Sequence, residues 1–126
     1  MRPHVLVVDD DARFAEFVTA VLEQDGRVAV VGRARDGQQA IALARLFSPD
    51  VVLMDIHMPL MDGLEATQLL RGLLPATRVV LMTSSDVADD RHRAAKAGAH
   101  MFLRKNVGHL ALVEAAVGAA REAVAS

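Results

Sequence analysis

Five short, nearly unbroken apolar runs most constrain what this chain can fold into: Val5 to Val8, Val28 to Val31, Val51 to Met54, Val79 to Met82 and Met101 to Leu103. Each has the length of a strand, and as a group they are rich in β-branched residues. A strand with one wet face alternates apolar and polar residues, whereas a continuous run marks a strand covered on both faces, as in a parallel sheet.

The stretches between the runs carry helical spacing. Phe14, Phe17, Val18, Val21 and Leu22 form a first stripe, and Gly26 stands where that helix should stop. Asp36 can cap a second helix carrying Ala40, Ile41 and Ala44, and Asp62 a third carrying Leu70 and Leu73. Asp86 opens a fourth that ends near Gly98, and the last helix places Leu110, Val113, Val117, Ala120 and Val124 on one stripe. Strand then helix, five times over, predicts parallel strands joined by right-handed crossovers: an α/β, three-layer (βα)5 sandwich. A length of 126 residues suits a single domain, 1–126, and no linker or internal repeat interrupts it.

Composition narrows the function classes. A net charge of -2 gives no electrostatic reason for this segment to bind nucleic acid or a membrane surface. The chain has no cysteine, so disulfides and thiolate chemistry are excluded and a reducing, cytoplasmic location is the expectation. Met1-Arg-Pro-His leads straight into the first run without the features of a signal peptide, and no apolar run approaches a membrane span.

Chemistry is expected at the ends of the runs, because open parallel sheets bind ligands at the carboxyl ends of their strands. The first run ends at Asp9, Asp10 and Asp11, the third at Asp55, the fourth at Thr83 and Ser84, the fifth at Arg104 and Lys105. In a parallel sheet these ends share one edge. Asp9, Asp10 and Asp55 suit Mg²⁺, a hard cation that takes one or two carboxylates together with waters and phosphate oxygens. A carboxylate can also act as a nucleophile toward phosphorus, and Asp55, ending a central strand, is best placed to do so. Lys105 and the Thr83 hydroxyl could then neutralise charge on the transferred oxygens. Lys105 stands out because the chain has only two lysines.

Plainer roles exist for each residue. Asp11 is expected to cap the first helix, a task that explains one acid of the three but not the run. Asp55 ahead of Met58-Pro59 could be a turn residue, Thr83 a structural one and Lys105 a surface one. Arg91, His92, Arg93 and Lys96 sit beside Asp86, Asp89 and Asp90, which reads as a solvated helix face. The histidines show no zinc spacing, and glycine-rich phosphate loops are absent.

Taken together, the motifs resemble those of the response-regulator receiver family from about Val5 to Val124. Val-Val-Asp9-Asp10 resembles the family's acidic pair, Leu-Met-Asp55-Ile-His-Met-Pro59 its phosphoacceptor motif, and Met61-Asp-Gly-Leu64 the loop that follows. Val79-Val-Leu-Met-Thr83-Ser84 and Gly98-Ala99 through Lys105 resemble its hydroxyl and lysine motifs. The resemblance implies a flavodoxin-like strand order 2-1-3-4-5. It implies Mg²⁺ on Asp9, Asp10, Asp55 and the His57 backbone carbonyl, phosphate on Asp55, and Thr83 and Lys105 as its partners.

It further implies a switch in which Thr83 moves toward the phosphoryl group and an aromatic, here Phe102, turns inward. The face from about Val87 to Val124 would report the change. Phe102 stands where many members carry Tyr, so it lacks that hydroxyl. Asn106 follows the lysine where many receivers place proline. His57 and Ser85 flank the site and are expected to tune the lifetime of the acyl phosphate.

Val31 to Gly37 and Ser48 to Thr67 are most similar to receivers of the NarL/LuxR class, which normally precede a helix-turn-helix DNA-binding domain. The partners so implied are a sensor histidine kinase, a second copy of the chain, and DNA only through a C-terminal domain absent from this chain. Competing expectations are a stand-alone receiver acting by protein contacts and a pseudo-receiver independent of phosphorylation. A haloacid-dehalogenase-type phosphatase is a third, using Asp9 and Asp11, although it would leave Asp55 without a role.

Overall fold

The computed structural model describes residues 2–84 and 89–125. Five strands, β1 (His4–Val8), β2 (Ala29–Ala34), β3 (Val51–Asp55), β4 (Arg78–Thr83) and β5 (Met101–Arg104), alternate with helices α1 (Ala12–Asp25), α2 (Gly37–Phe47), α3 (Gly63–Leu73), α4 (Asp90–Ala97) and α5 (His109–Ala125). All strand pairings are parallel and the sheet order is β2-β1-β3-β4-β5, the order expected.

Successive side chains on a strand point to opposite faces, and here both faces are apolar. Val5, Val7, Val51, Leu53, Val80 and Met82 face one way, against Val18 and Leu22 of α1 and Leu112, Val113 and Ala116 of α5. Leu6, Val8, Val52, Met54, Val79 and Leu81 face the other way, against Ala40 and Ala44 of α2, Ala66 and Leu70 of α3, and Ala94 of α4. The unbroken apolar runs are therefore two alternating half-runs, each filling its own layer. Fully burying one such side chain stabilises the fold by about 1.5–3 kcal/mol, a gain concentrated in β1, β3 and β4, since the edge strands β2 and β5 are mostly half-buried.

Local signals set the helix ends. Asp11 accepts from the Arg13 and Phe14 amides, Asp36 from Gln39 and Asp62 from Glu65, caps worth about 1 kcal/mol each. Gly26 and Gly98 close α1 and α4 at φ 86° and 98°, where a Cβ would be strained.

Three expected stripes need correction at their edges. Phe17, Leu73 and Leu110 are exposed, while Ala15, Leu112, Ala115, Ala116 and Ala119 are buried in their place. Alanine covers much of the sheet here because it lets a helix backbone approach closely. Hydrophobicity alone points to the larger residues. The α4 helix begins at Asp90; the expected opening at Asp86 lies outside the described residues.

Candidate functional site

The carboxyl ends of β1, β3, β4 and β5 meet at one edge of the sheet, and the loop geometry fixes what projects from each. Asp9 follows β1; its amide donates to the Ala34 carbonyl at 3.0 Å, and its Oδ1 accepts from the Asp11 amide at 2.9 Å. Asp55 is the last residue of β3, paired with Met82 of β4. The loop after it is closed by the Ile56 amide on the Met82 carbonyl and the Gly63 amide on the Ile56 carbonyl, at 2.9 and 2.7 Å.

A Cβ at Gly63 would run into the Asp55 carbonyl oxygen and the Ile56 Cα, so only glycine lets α3 start this close to the acid. Gly63→Ala is expected to destabilise the fold by about 2 kcal/mol through backbone displacement, measured as a lower urea midpoint.

The acids converge as the sequence suggests. Carboxylate oxygens of Asp9, Asp10 and Asp55 lie within 4.8 Å of one another, with Asp9 and Asp55 buried and Asp10 exposed. Lys105 reaches in from the end of β5, its Nζ 2.6 Å from Asp9 Oδ2 and 3.5 Å from Asp55 Oδ1. The same ammonium sits 4.5 Å from the centre of the Phe14 ring, on the first helix. Beside it opens a cleft of about 400 Å³ bordered by Asp11, Phe14, Thr83, Ser84 and Lys105.

Three carboxylates against one ammonium leave the pocket negative. Burial pushes the Asp55 carboxyl up to about 6; Lys105 opposes this, and Asp9 and Asp10 add to it. A cluster that resists its own ionisation is one a divalent cation relieves. Oxygen donors with an open, solvent-facing acid fit Mg²⁺, which keeps waters and takes phosphate oxygens. Asp9, Asp10 and Asp55 would hold it.

Other expected residues are placed differently. Thr83 ends β4 fully buried, and its hydroxyl donates to Asp90 Oδ2 at 3.2 Å. The half-exposed His57 ring is 3.0 Å from that same oxygen through Nε2. Phe102 is partly buried on β5 beneath the Arg91 guanidinium, 5.0 Å from its ring centre. Ser85 lies outside the described residues.

Asp90 is the residue that sequence reasoning missed. Expected on a solvated face, it is instead completely buried, while Arg91, His92, Arg93 and Lys96 around it are exposed as anticipated. The available signal was its position at the start of a helix directly after the strand that ends in Thr83.

Comparison with known proteins agrees with this arrangement. Residues 5–117 match the family model described as response regulator receiver domain. A protein-glutamate methylesterase/protein-glutamine glutaminase from Halalkalibacterium halodurans is 37% identical over 112 residues, 88% of this chain and 32% of that protein. The transcriptional regulatory protein DegU from Brevibacillus brevis is 34% identical over 111 residues, 88% of this chain and 47% of that protein. The chain thus spans 32% and 47% of the length of these two relatives.

Among solved structures, the signal receiver domain of NarL from Mycobacterium tuberculosis superposes with a TM-score of 0.91 at 37% identity, covering 95% of this chain and 97% of that one. The response regulator domain of Thermotoga maritima CheB gives 0.84 at 30% identity, covering 100% and 98%. These matches displace the phosphatase expectation, and Asp11, which that reading needed, is engaged as a helix cap. With the strand order, the acid cluster and the match over residues 5–117 in agreement, the chain belongs to the response regulator receiver domain family.

Proposed function

We propose that this chain accepts a phosphoryl group from a sensor histidine kinase on Asp55, in a Mg²⁺-dependent transfer, and passes the change on through the surface formed by α4, β5 and α5. The observation that carries the reading is the buried Asp55 carboxylate, with Asp9 and Asp10 within 4.8 Å and the Lys105 ammonium 3.5 Å away.

One oxygen of the Asp55 carboxylate attacks phosphorus, the bond from phosphorus to the donor's imidazole nitrogen breaks, and that nitrogen leaves with its electron pair to be protonated. Mg²⁺, when bound, neutralises charge on the transferred oxygens. Lys105 supplies a fixed cation at the same place, and the Thr83 hydroxyl a donor once it turns inward. The carboxylate is the nucleophilic form; burial raises its ionisation to about 6 in the metal-free chain, and a Mg²⁺ ion held beside it would favour the ionised form. The His57 backbone carbonyl is assigned to the metal shell on sequence resemblance. No helix among the described residues is long and apolar enough to cross a membrane.

For the output we propose transcription control through a DNA-binding domain outside this segment, supported by the likeness to the NarL receiver and to DegU. The methylesterase relatives support a second reading, in which the receiver governs an attached enzyme. Reading the coding sequence beyond Ser126 separates them, and a stop codon there would favour the stand-alone receiver.

Intact-mass measurement after incubation with Mg²⁺ and a small acyl phosphate tests the central claim. Wild type is expected to gain one phosphoryl group, Asp55→Asn none, and wild type with chelator none. A chain that stays unmodified throughout would be a pseudo-receiver.

A further inference from the structure

The buried Asp90 has no part in the transfer chemistry, yet it is the hub of a small polar cluster linking three elements. Its Oδ2 takes the Thr83 hydroxyl from the end of β4 at 3.2 Å and His57 Nε2 from the loop after β3 at 3.0 Å, and its Oδ1 takes Arg93 from the next turn of α4 at 3.3 Å. The Asp90 side chain is 0% exposed, so these donors replace the water it has lost.

A threonine hydroxyl carries one proton. While that proton is given to Asp90 it cannot be given to an oxygen on Asp55. A hydroxyl that the proposed transfer assigns to the phosphoryl group is therefore engaged elsewhere in the unmodified chain, by a charge-assisted bond stronger than a neutral one.

Building on the assignment of Asp55 as phosphoacceptor, we propose that Asp90 is a positioning residue, a latch that holds the Thr83 hydroxyl and the His57 ring in the unphosphorylated arrangement and must release Thr83 before it can bond to the phosphoryl group. Because Asp90 is also the first residue of α4, release removes a donor from a buried carboxylate at that helix's start. The first turn of α4 then has reason to repack. The latch thereby connects the hydroxyl to the helix that presents the output face, through contacts the chain already makes.

The consequence is a free-energy difference that phosphorylation must overcome, which lowers the apparent affinity for any phosphoryl group or mimic. Titration with beryllofluoride in the presence of Mg²⁺ reads it directly. Asp90→Ala is expected to bind beryllofluoride roughly tenfold more tightly than wild type, from the loss of one charge-assisted bond, with Asp90→Asn in between. The gain should vanish when Thr83→Val is added to either variant, because no hydroxyl is then left for Asp90 to withhold from the phosphoryl group.

A purely structural Asp90 would behave in the opposite way, with Ala binding more weakly than wild type and Asn restoring it regardless of residue 83. That outcome, or a gain that persists with Thr83→Val, overturns the proposal. Should the Asp90 variants fail to fold, the Thr83 methyl resonance of wild type decides: one χ1 rotamer without beryllofluoride and a different one with it supports the latch, and a rotamer average or no change overturns it. Wild type that binds no beryllofluoride and takes no phosphoryl group would sink the assignment of Asp55 itself, a result separable from all of these.

Discussion

Lys105→Met is expected to slow Mg²⁺-dependent phosphoryl uptake at Asp55 by about 10²–10³-fold, the loss typical of removing one preorganised charge-stabilising donor. The substitution keeps side-chain length and apolar character while deleting the ammonium that lies 2.6 Å from Asp9 and 3.5 Å from Asp55. Methionine can also reach the Phe14 ring, over which the ammonium now sits, and a thioether beside an aromatic ring keeps a contact with the first helix. What disappears is a cation already in place when charge spreads over the transferred oxygens.

A second signature accompanies the rate. Lys105 lowers the Asp55 carboxyl against the upward push of burial, so without it the acid ionises at still higher pH. The pH profile of uptake should move to the alkaline side in Lys105→Met, and a plain loss of folding would not produce that displacement. Time-resolved mass measurement across a pH series checks both. An unchanged rate would remove Lys105 from the transfer.

The arrangement of the site was legible because it depends on topology. Once the five runs are parallel strands, Asp9, Asp55, Thr83 and Lys105 have to share an edge, whatever the details of packing. Helix faces were less legible. The expected stripes in α1, α3 and α5 chose Phe17, Leu73 and Leu110, which are exposed, over smaller residues that lie flat on the sheet. Spacing reports that a face exists, and the rotation of that face is decided by which side chains are small enough to touch the strands.

Asp90 was hidden for a related reason. Among so many neighbouring charges an acid reads as solvated, and its burial depends on Thr83, His57 and Arg93 closing around it from separate segments. No local pattern encodes a cluster assembled from β4, the loop after β3 and α4.

The energetic tension at Asp55 predicts the second large effect: in metal-free solution Asp55→Asn should be more stable than wild type by about 3 kcal/mol above neutral pH. Burial raises the folded carboxyl from 3.8 to about 6, so the folded state holds a proton that the unfolded chain releases. For such a raised group the stabilising contribution is complete below 3.8 and is lost as pH climbs through about 6. Wild type should weaken across that interval.

Asparagine has no charge to desolvate and remains level, so the gap between the two proteins opens over the same range. His100 works in the reverse sense. Burial, aided by Arg78 and Arg71, pushes its imidazole down, so the stability it contributes is present above the unfolded histidine range and fades on acidification. Because both proteins carry His100, it cancels in the difference. Mg²⁺ should then close the gap from the wild-type side, by binding the folded chain where its acids repel one another. Urea titrations of both proteins at several pH values, with and without Mg²⁺, measure all of this. Equal stability of the two proteins at alkaline pH without metal would mean that the three acids and Lys105 already balance, and that the pocket has no unmet demand for a cation.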